Sequence, residues 1–271
     1  MGKVRRSIWV LVGLMVIGLI ICATSYTDLK EGLVGAWTFD DGTAKDYSGY
    51  GNHGEILGDP KVVKGKFGNA LEFDGSDDGV EIEDDEVLQL TEPFTAAAWI
   101  FPRSCKDHAG IVWKGSAIGW ATDVYNFRIA QLGSNGLTWG ACTGPIEGYF
   151  GTAGVLGQMD EWYHVALVED GTKGIAYVNG KSGIPTTEGD ANRPAPPYAP
   201  LEDHPVRIGW AIGSQGAIPG DVYFEGIIDE VFLYDRPMEE DEINELMNGG
   251  LRFPVEPAGK LATTWSQIKA D

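Results

Sequence analysis

The chain has 271 residues, 38 of them glycine and 9 tryptophan, and a formal net charge of −20. That length accommodates one or two domains with a sizeable core, and the ordinary apolar fraction excludes wholesale disorder. The excess of acid repels nucleic acid and anionic membrane surfaces, leaving cations and neutral molecules as the suited partners.

At the N-terminus, Lys3, Arg5 and Arg6 precede an unbroken apolar run from Ile8 to Ala23, and Ala23-Thr24-Ser25 places small residues ahead of Tyr26. This order predicts a secretory signal peptide over residues 1–25, and with it a secreted, cell-surface or periplasmic protein. The run falls short of the ~20 residues of a spanning helix, and an uncleaved N-terminal anchor is the alternative. Cys22 follows Leu19-Ile20-Ile21 rather than a small residue, which disfavours lipidation. Residues 1–25 hold three basic and no acidic residues, so the chain beyond them carries −23. Two cysteines remain there, Cys105 and Cys142. Export permits a bridge between them, but two buried thiols are equally open, because sequence does not supply the Cα distance.

Past the signal segment, short apolar runs alternate with Gly, Asp, Asn and Pro. The expected strands are Leu33–Phe39, Ala70–Phe73, Val80–Glu83, Phe94–Phe101, Gly110–Lys114, Tyr125–Leu132, Leu137–Ala141, Trp162–Glu169, Gly174–Val178, Val206–Trp210 and Phe224–Tyr234. Regular short strands separated by turn signals predict a sandwich or barrel. Asp170-Gly171 and Asn179-Gly180 flank the Gly174–Val178 strand and suit tight hairpin turns. Both faces of Trp162–Glu169 are largely apolar, which places that strand centrally. Proline-rich residues 182–205 form a long loop. One helix is expected at Glu239–Asn248: Pro237 and four acidic residues mark its start, Gly249 its exit, and Ile243, Leu246 and Met247 its apolar face. The tail 251–271 opens on Pro254 and Pro257 and ends in an apolar stripe of Leu261, Trp265 and Ile268, read as a short docking helix or a frayed end.

Four segments, in order, resemble the laminin-G-like, concanavalin A-like jelly-roll domains. The first is Gly32–Asp40 (GLVGAWTFD) with Asp46–Gly54 (DYSGYGNHG). The second is Gly65–Gly75 (GKFGNALEFDG) with Val80-Glu81-Ile82. The third is Phe94–Ile100 (FTAAAWI). The fourth joins Glu161–Ala166 (EWYHVA) and Tyr177–Gly180 (YVNG) to Phe224–Val231 (FEGIIDEV) and the helix. The resemblance implies an all-β fold, a two-sheet antiparallel jelly-roll sandwich with one short C-terminal helix. It sets the domain at 29–250 and puts Leu33–Phe39 beside Phe224–Tyr234.

It also implies a binding module rather than an enzyme, recognising carbohydrate or a cell-surface glycoconjugate. A protein-interaction or adhesion module and a glycoside hydrolase are the alternatives. Similar jelly rolls often hold a structural calcium where the first and last strands meet; here Asp40, Asp46, Ser48, Asn52 and Asp229 are the candidate ligands. The same Asp46–Asn52 stretch also suits Asx-type turns that need no metal. For a glycan, the candidate platforms are Trp113, Trp120, Tyr125, Trp139, Tyr149 and Tyr198, whose rings can stack on the C–H face of a sugar. Trp37, Trp99 and Trp162 fall at strand-core positions.

No catalytic residue is assigned. Glu81 and Glu83 share a strand face, but they lack the central Asp of a Glu-x-Asp-x-x-Glu glucanase strand, and a solvated acidic loop on an edge strand accounts for them. His164 reads as a satisfied core histidine. His53, His108 and His204 show no metal-ligand spacing.

Overall fold

The computed structural model describes residues 28–90, 93–104, 108–115, 123–130, 137–144, 149–171, 174–182, 203–213 and 220–254; for 123–130, 137–144 and 149–156 it describes the backbone. Residues 1–27, which include the expected signal segment, the tail from residue 255, Cys105, Trp120 and Tyr198 lie outside the described residues, as does most of the 182–205 loop. Among the described residues no helix is long and apolar enough to cross a membrane.

In chain order the strands are β1 (Leu33–Trp37), β2 (Gly54–Leu57), β3 (Lys61–Lys64), β4 (Asn69–Asp74), β5 (Gly79–Ile82), β6 (Phe94–Pro102), β7 (Gly110–Gly115) and β8 (Asp123–Ala130). They continue with β9 (Leu137–Gly144), β10 (Tyr149–Leu156), β11 (Tyr163–Glu169), β12 (Gly174–Val178), β13 (Lys181–Ser182), β14 (Val206–Ile208), β15 (Trp210–Ala211), β16 (Val222–Tyr223) and β17 (Glu225–Tyr234). A helix, α1 (Glu240–Met247), follows. One sheet runs β13-β12-β11-β6-β17-β4-β3, with β1 also on β17; the other runs β10-β9-β8-β7-β14-β5-β2; β15 and β16 pair apart from both. The two main sheets are antiparallel throughout, as a jelly-roll sandwich requires.

Alternation along each strand builds the core. Ala98 and Ile100 of β6, Val165 and Leu167 of β11, and Ile228 and Leu233 of β17 meet Val80 and Ile82 of β5, Val112 of β7, and Val206 and Ile208 of β14. Each fully buried aliphatic side chain there is worth about 1.5–3 kcal/mol. β11 lies between β6 and β12 and is buried along its whole length, the central place its two apolar faces require. β1 pairs with β17 as expected, with Trp37 opposite Val231. It ends at Trp37 rather than Phe39, because Phe39 takes a left-handed φ of 59°.

α1 covers the outer face of the first sheet. Ile243 and Leu246 pack with Met238 on Ala97, Ala166, Phe232 and Tyr234. Glu242 Oε2 accepts the Glu239 N–H at 2.8 Å, and Arg236 binds both Glu242 oxygens at 2.7 and 3.0 Å. The short edge strands β2 and β3 were not anticipated. Their residues are mostly half-buried or exposed, so they carry no core periodicity. The expected single strand Val206–Trp210 breaks at Gly209, whose φ is +82°. A Cβ there would lie 2.5 Å from the Phe73 ring. The break lets Trp210 leave the second sheet and pair with Tyr223.

Candidate functional site

The oxygen-rich loop after β1 is organised by one side chain. Asp46 is buried, and its Oδ1 accepts the N–H groups of Ala36 (3.0 Å) and Ser48 (2.8 Å). Its Oδ2 accepts the Ser48 hydroxyl (2.7 Å) and the N–H groups of Gly51 and Asn52 (3.0 Å each). The Asn52 carbonyl accepts the Trp37 indole N–H at 2.9 Å, so the loop is tied to the core. Asp40 and Asp229 serve a different turn. Asp40 Oδ1 accepts the Asn69 N–H at 2.9 Å, and Asp229 Oδ2 accepts the Phe67 N–H at 3.0 Å. The five candidate calcium ligands therefore divide into two groups. Asp46, Ser48 and Asn52 form one group, in which both Asp46 oxygens accept from protein donors; Asp40 and Asp229 form the other.

Asp229 has a neighbour that sequence reasoning missed. β17 carries a bulge: three steps from Asp229 to Phe232 match two steps on β6, from Trp99 to Ala97. Glu230 occupies the extra position with a left-handed φ of 52°. The bulge sits where the partner of β17 changes from β4 to β1. Both acids are buried, and Asp229 Oδ1 and Glu230 Oε2 have no hydrogen-bond partner. Burial pushes the Asp229 carboxyl up to about 7, with Asp40 adding to the shift against hydrogen bonds that lower it. Burial and the Asp229 charge push Glu230 up to about 8, against Arg252, whose Nη1 lies 2.8 Å from Glu230 Oε1. The rest of the Asp229 row is buried too, through Trp99 to His164. His164 lies opposite Trp99, and the expectation of a satisfied histidine is corrected: its Nδ1 has no partner. Burial, with the Lys66 charge, drives its pKa down to about 3.

Asp74, Asp77 and Asp78 are the one acidic trio, among the described residues, whose oxygens all lie within 4.8 Å of one another. They border a cleft of about 540 Å³ that also includes Lys61, Arg103 and Glu225. Asp78 is buried and holds the N–H groups of Asp59 (2.7 Å) and Asp74 (3.0 Å), which makes it a turn organiser.

A row of polar and aromatic residues crosses the second sheet on the face turned away from the core. Val80 and Ile82 face inward, so Glu81 between them faces outward; Arg207 does the same between Val206 and Ile208. Cross-strand register joins them. Glu55 lies opposite Glu81, Glu81 opposite Arg207, and Arg207 opposite Trp113. The row continues at the backbone positions Asn126, Cys142 and Tyr149. At about 4.8 Å per strand, it spans about 24 Å from Glu81 to Tyr149.

Arg207 and Trp113 form a buried floor, while Glu81 keeps 38% of its side chain exposed. Arg207 Nε is 3.4 Å from Glu81 Oε2, too poorly aligned to hydrogen-bond. The guanidinium stacks on the Trp210 ring with 4.8 Å to the centroid. Trp210 in turn stacks on Tyr223, with centroids 5.9 Å apart and planes 11° apart. Gly79 makes room for it, since a Cβ there would lie 2.4 Å from the indole. Two buried donors in this cluster, Arg207 Nε and Trp113 Nε1, have no acceptor.

Of the six candidate platform residues, the structure brings Trp113 and the backbone position of Tyr149 into this row. Trp113 is buried rather than exposed, and it lies next to Arg207 across the β14–β7 pair. Tyr125 lies opposite Lys114 and Trp139 opposite Ile129, in rows alternate to the Trp113 row. Trp120, Tyr198 and the Cys105 half of the expected bridge lie outside the described residues. Arg207, Trp210 and Tyr223 were missed. A lone cation between Val206 and Ile208 was the available signal for the first; nothing local marked the other two. Glu81 stands on β5, which is not an edge strand, since β2 lies outside it.

A family model described as the concanavalin A-like lectin/glucanases superfamily matches residues 74–244. No curated protein matches the chain. Solved structures of like fold include domain 4 of AbnA, a GH43 extracellular arabinanase from Geobacillus stearothermophilus, in complex with arabinotriose. It aligns with a TM-score of 0.59 and 18% identity over 79% of this chain and 98% of that domain. The binding domain of Paraclostridial Mosquitocidal Protein 1 aligns with a TM-score of 0.58 and 16% identity over 82% of this chain and 53% of that one. A Trypanosoma rangeli sialidase in complex with sialic acid aligns with a TM-score of 0.55 and 17% identity over 81% of this chain and 33% of that one. At these identities the likeness is one of fold.

Proposed function

The chain belongs to the concanavalin A-like lectin/glucanases superfamily, and from that premise we propose that it is a non-catalytic carbohydrate-binding module whose binding face is the outer face of the second sheet. The observation that carries this is the half-exposed Glu81 carboxylate, held on the outward face of the sheet beside the buried Arg207 and Trp113. Sugar hydroxyls donate hydrogen bonds to such a carboxylate. Aromatic surface with a few convergent polar groups is the usual make-up of a small-molecule site.

The arabinanase domain of like fold, nearly all of which this chain spans, was solved with arabinotriose, and that supports a sugar as the ligand class. The absence of catalysis is supported by Glu81, one of the two carboxylates considered for a retaining pair. It is tied to Arg207, while Glu83 is exposed beyond the end of β5. The N-terminal segment adds an extracellular setting, where polysaccharides and glycosylated surfaces are met.

Affinity electrophoresis of the purified protein through gels containing arabinan, galactan, xylan or glucan tests the proposal. Retardation by at least one polymer is expected, with Trp113→Ala and Arg207→Met losing most of it. Wild-type migration unaffected by every glycan would count against sugar binding. Retention by both variants would count against this face.

A further inference from the structure

The charged groups around Arg207 carry information about which sugars this face accepts. Arg207 is not a free cation: Glu81 lies 3.4 Å from its Nε, and its guanidinium is stacked on Trp210 and buried. Its Nη1 is held near the carbonyls of Pro205 (3.4 Å) and Gly115 (3.5 Å). Burial lowers its pKa, with the charges of Glu81 and Asp221 acting the other way. Asp221 and Asp77 are the charges that act on Tyr223, the partner of Trp210. Glu55 continues the row beyond Glu81. The one other described cation at an outward backbone position in this part of the sheet is Arg128. It is opposite Gly110 and Gly140, and β14 and β7 separate its strand from Glu81. Around Glu81 and Arg207, therefore, the described cations are paired with acids: Arg207 with Glu81, and Lys114, whose charge meets that of Arg207, with Asp84.

Donor and acceptor chemistry points the same way. The group this cluster presents at the surface is the charged acceptor Glu81, 38% exposed, while the Arg207 and Trp113 donors beneath it are buried. A hydroxyl complements that surface, since it donates to Glu81. A carboxylate or sulfate can only accept. Placed beside Glu81, it stands against the Glu81 charge in a partly desolvated site, where like charges repel strongly, and the buried Arg207 cannot reach it.

We propose, on the basis of the binding face assigned above, that this subsite selects uncharged sugar residues and that Glu81 is the residue that rejects uronates and sulfated sugars. Glu81 serves two purposes: it accepts a hydroxyl of a neutral sugar, and it holds the Arg207 charge away from an anionic one.

The test compares the same neutral polymers (arabinan, galactan, xylan and glucan) before and after light chemical sulfation, by affinity electrophoresis with wild type, Glu81→Gln and Glu81→Ala. Thermal melting of each variant selects those that are folded. For wild type we expect at least ten-fold weaker retention by the sulfated form of whichever polymer binds, with the discrimination shrinking as salt rises. In Glu81→Gln the ratio of sulfated to neutral affinity should rise at least ten-fold, even where neutral binding itself weakens. If Glu81→Gln does not fold, Glu81→Ala gives the same readout. Wild type that prefers the sulfated polymer, or a ratio unmoved by either substitution, overturns the selectivity while leaving sugar binding in place. Wild type that binds neither form of any polymer overturns the binding function itself and the selectivity with it.

Discussion

Arg207 lies directly opposite Glu81 across the β14–β5 pair, with its Nε 3.4 Å from Glu81 Oε2 and its guanidinium stacked on Trp210. The pairing places a neutralised cation and a half-exposed carboxylate on one sheet face, and the properties expected of that face follow from it.

Trp210 positions Arg207 without facing the row itself. Trp210→Ala should weaken glycan binding at least five-fold and lower the melting temperature, because it removes both a largely buried ring and a cation–π contact worth about 0.5–2 kcal/mol. Trp210→Phe keeps an aromatic surface under the guanidinium and should recover most of the binding. Isothermal titration of both variants below their melting temperatures checks this. Equal losses in the two would remove the positioning role.

Asp46→Ala should destabilise the protein by about 3 kcal/mol or more, because hydrogen bonds to a charged group are worth about 1.5–3 kcal/mol each and are not fully additive. Five donors converge on that carboxylate. The loss should be the same in calcium and in excess chelator, as the loop is held by protein donors. A loss that appears only with calcium present would restore a metal at this loop.

The bulged acids give stability an alkaline slope. The Asp229 and Glu230 carboxyls are raised above their ordinary values by burial. Above about pH 4, the folded protein thus retains protons that the unfolded chain has released, and stability falls as pH rises through about 8. His164 acts in the opposite sense: its depressed pKa of about 3 makes stability fall as pH drops below 6.5. The two slopes oppose each other between about 4 and 6.5, so the region above 6.5 isolates the acids. Melting temperatures across pH 6.5–9 should decline less steeply in Glu230→Gln than in wild type. Parallel curves would contradict the assignment.

Gly209→Ala should cost about 2–4 kcal/mol, combining a left-handed backbone with overpacking against Phe73. It should also weaken binding, since Gly209 turns the chain so that Trp210 lies under Arg207. Denaturant midpoints and titration of the same variant measure both effects.

Local physics made much of this protein legible. Val80-Glu81-Ile82 and Val206-Arg207-Ile208 each state by alternation which residue faces away from the core, and Asp170-Gly171 and Asn179-Gly180 mark the turns beside β12. The charges and apolar spacing of α1 located the helix to within a residue at each end. These features depend on residues a few positions apart, and composition and periodicity record them. The tertiary structure alone decided that β5 and β14 are neighbours, and so that Glu81 and Arg207 form a pair with Trp113 beside them. It also decided that Asp46 spends its oxygens on its own loop, and that a bulge sets Glu230 beside Asp229. Strand order and register are set by the packing of the whole sandwich, in which distant segments compete for the same partners. No single segment contains that information, and the binding face is made from it.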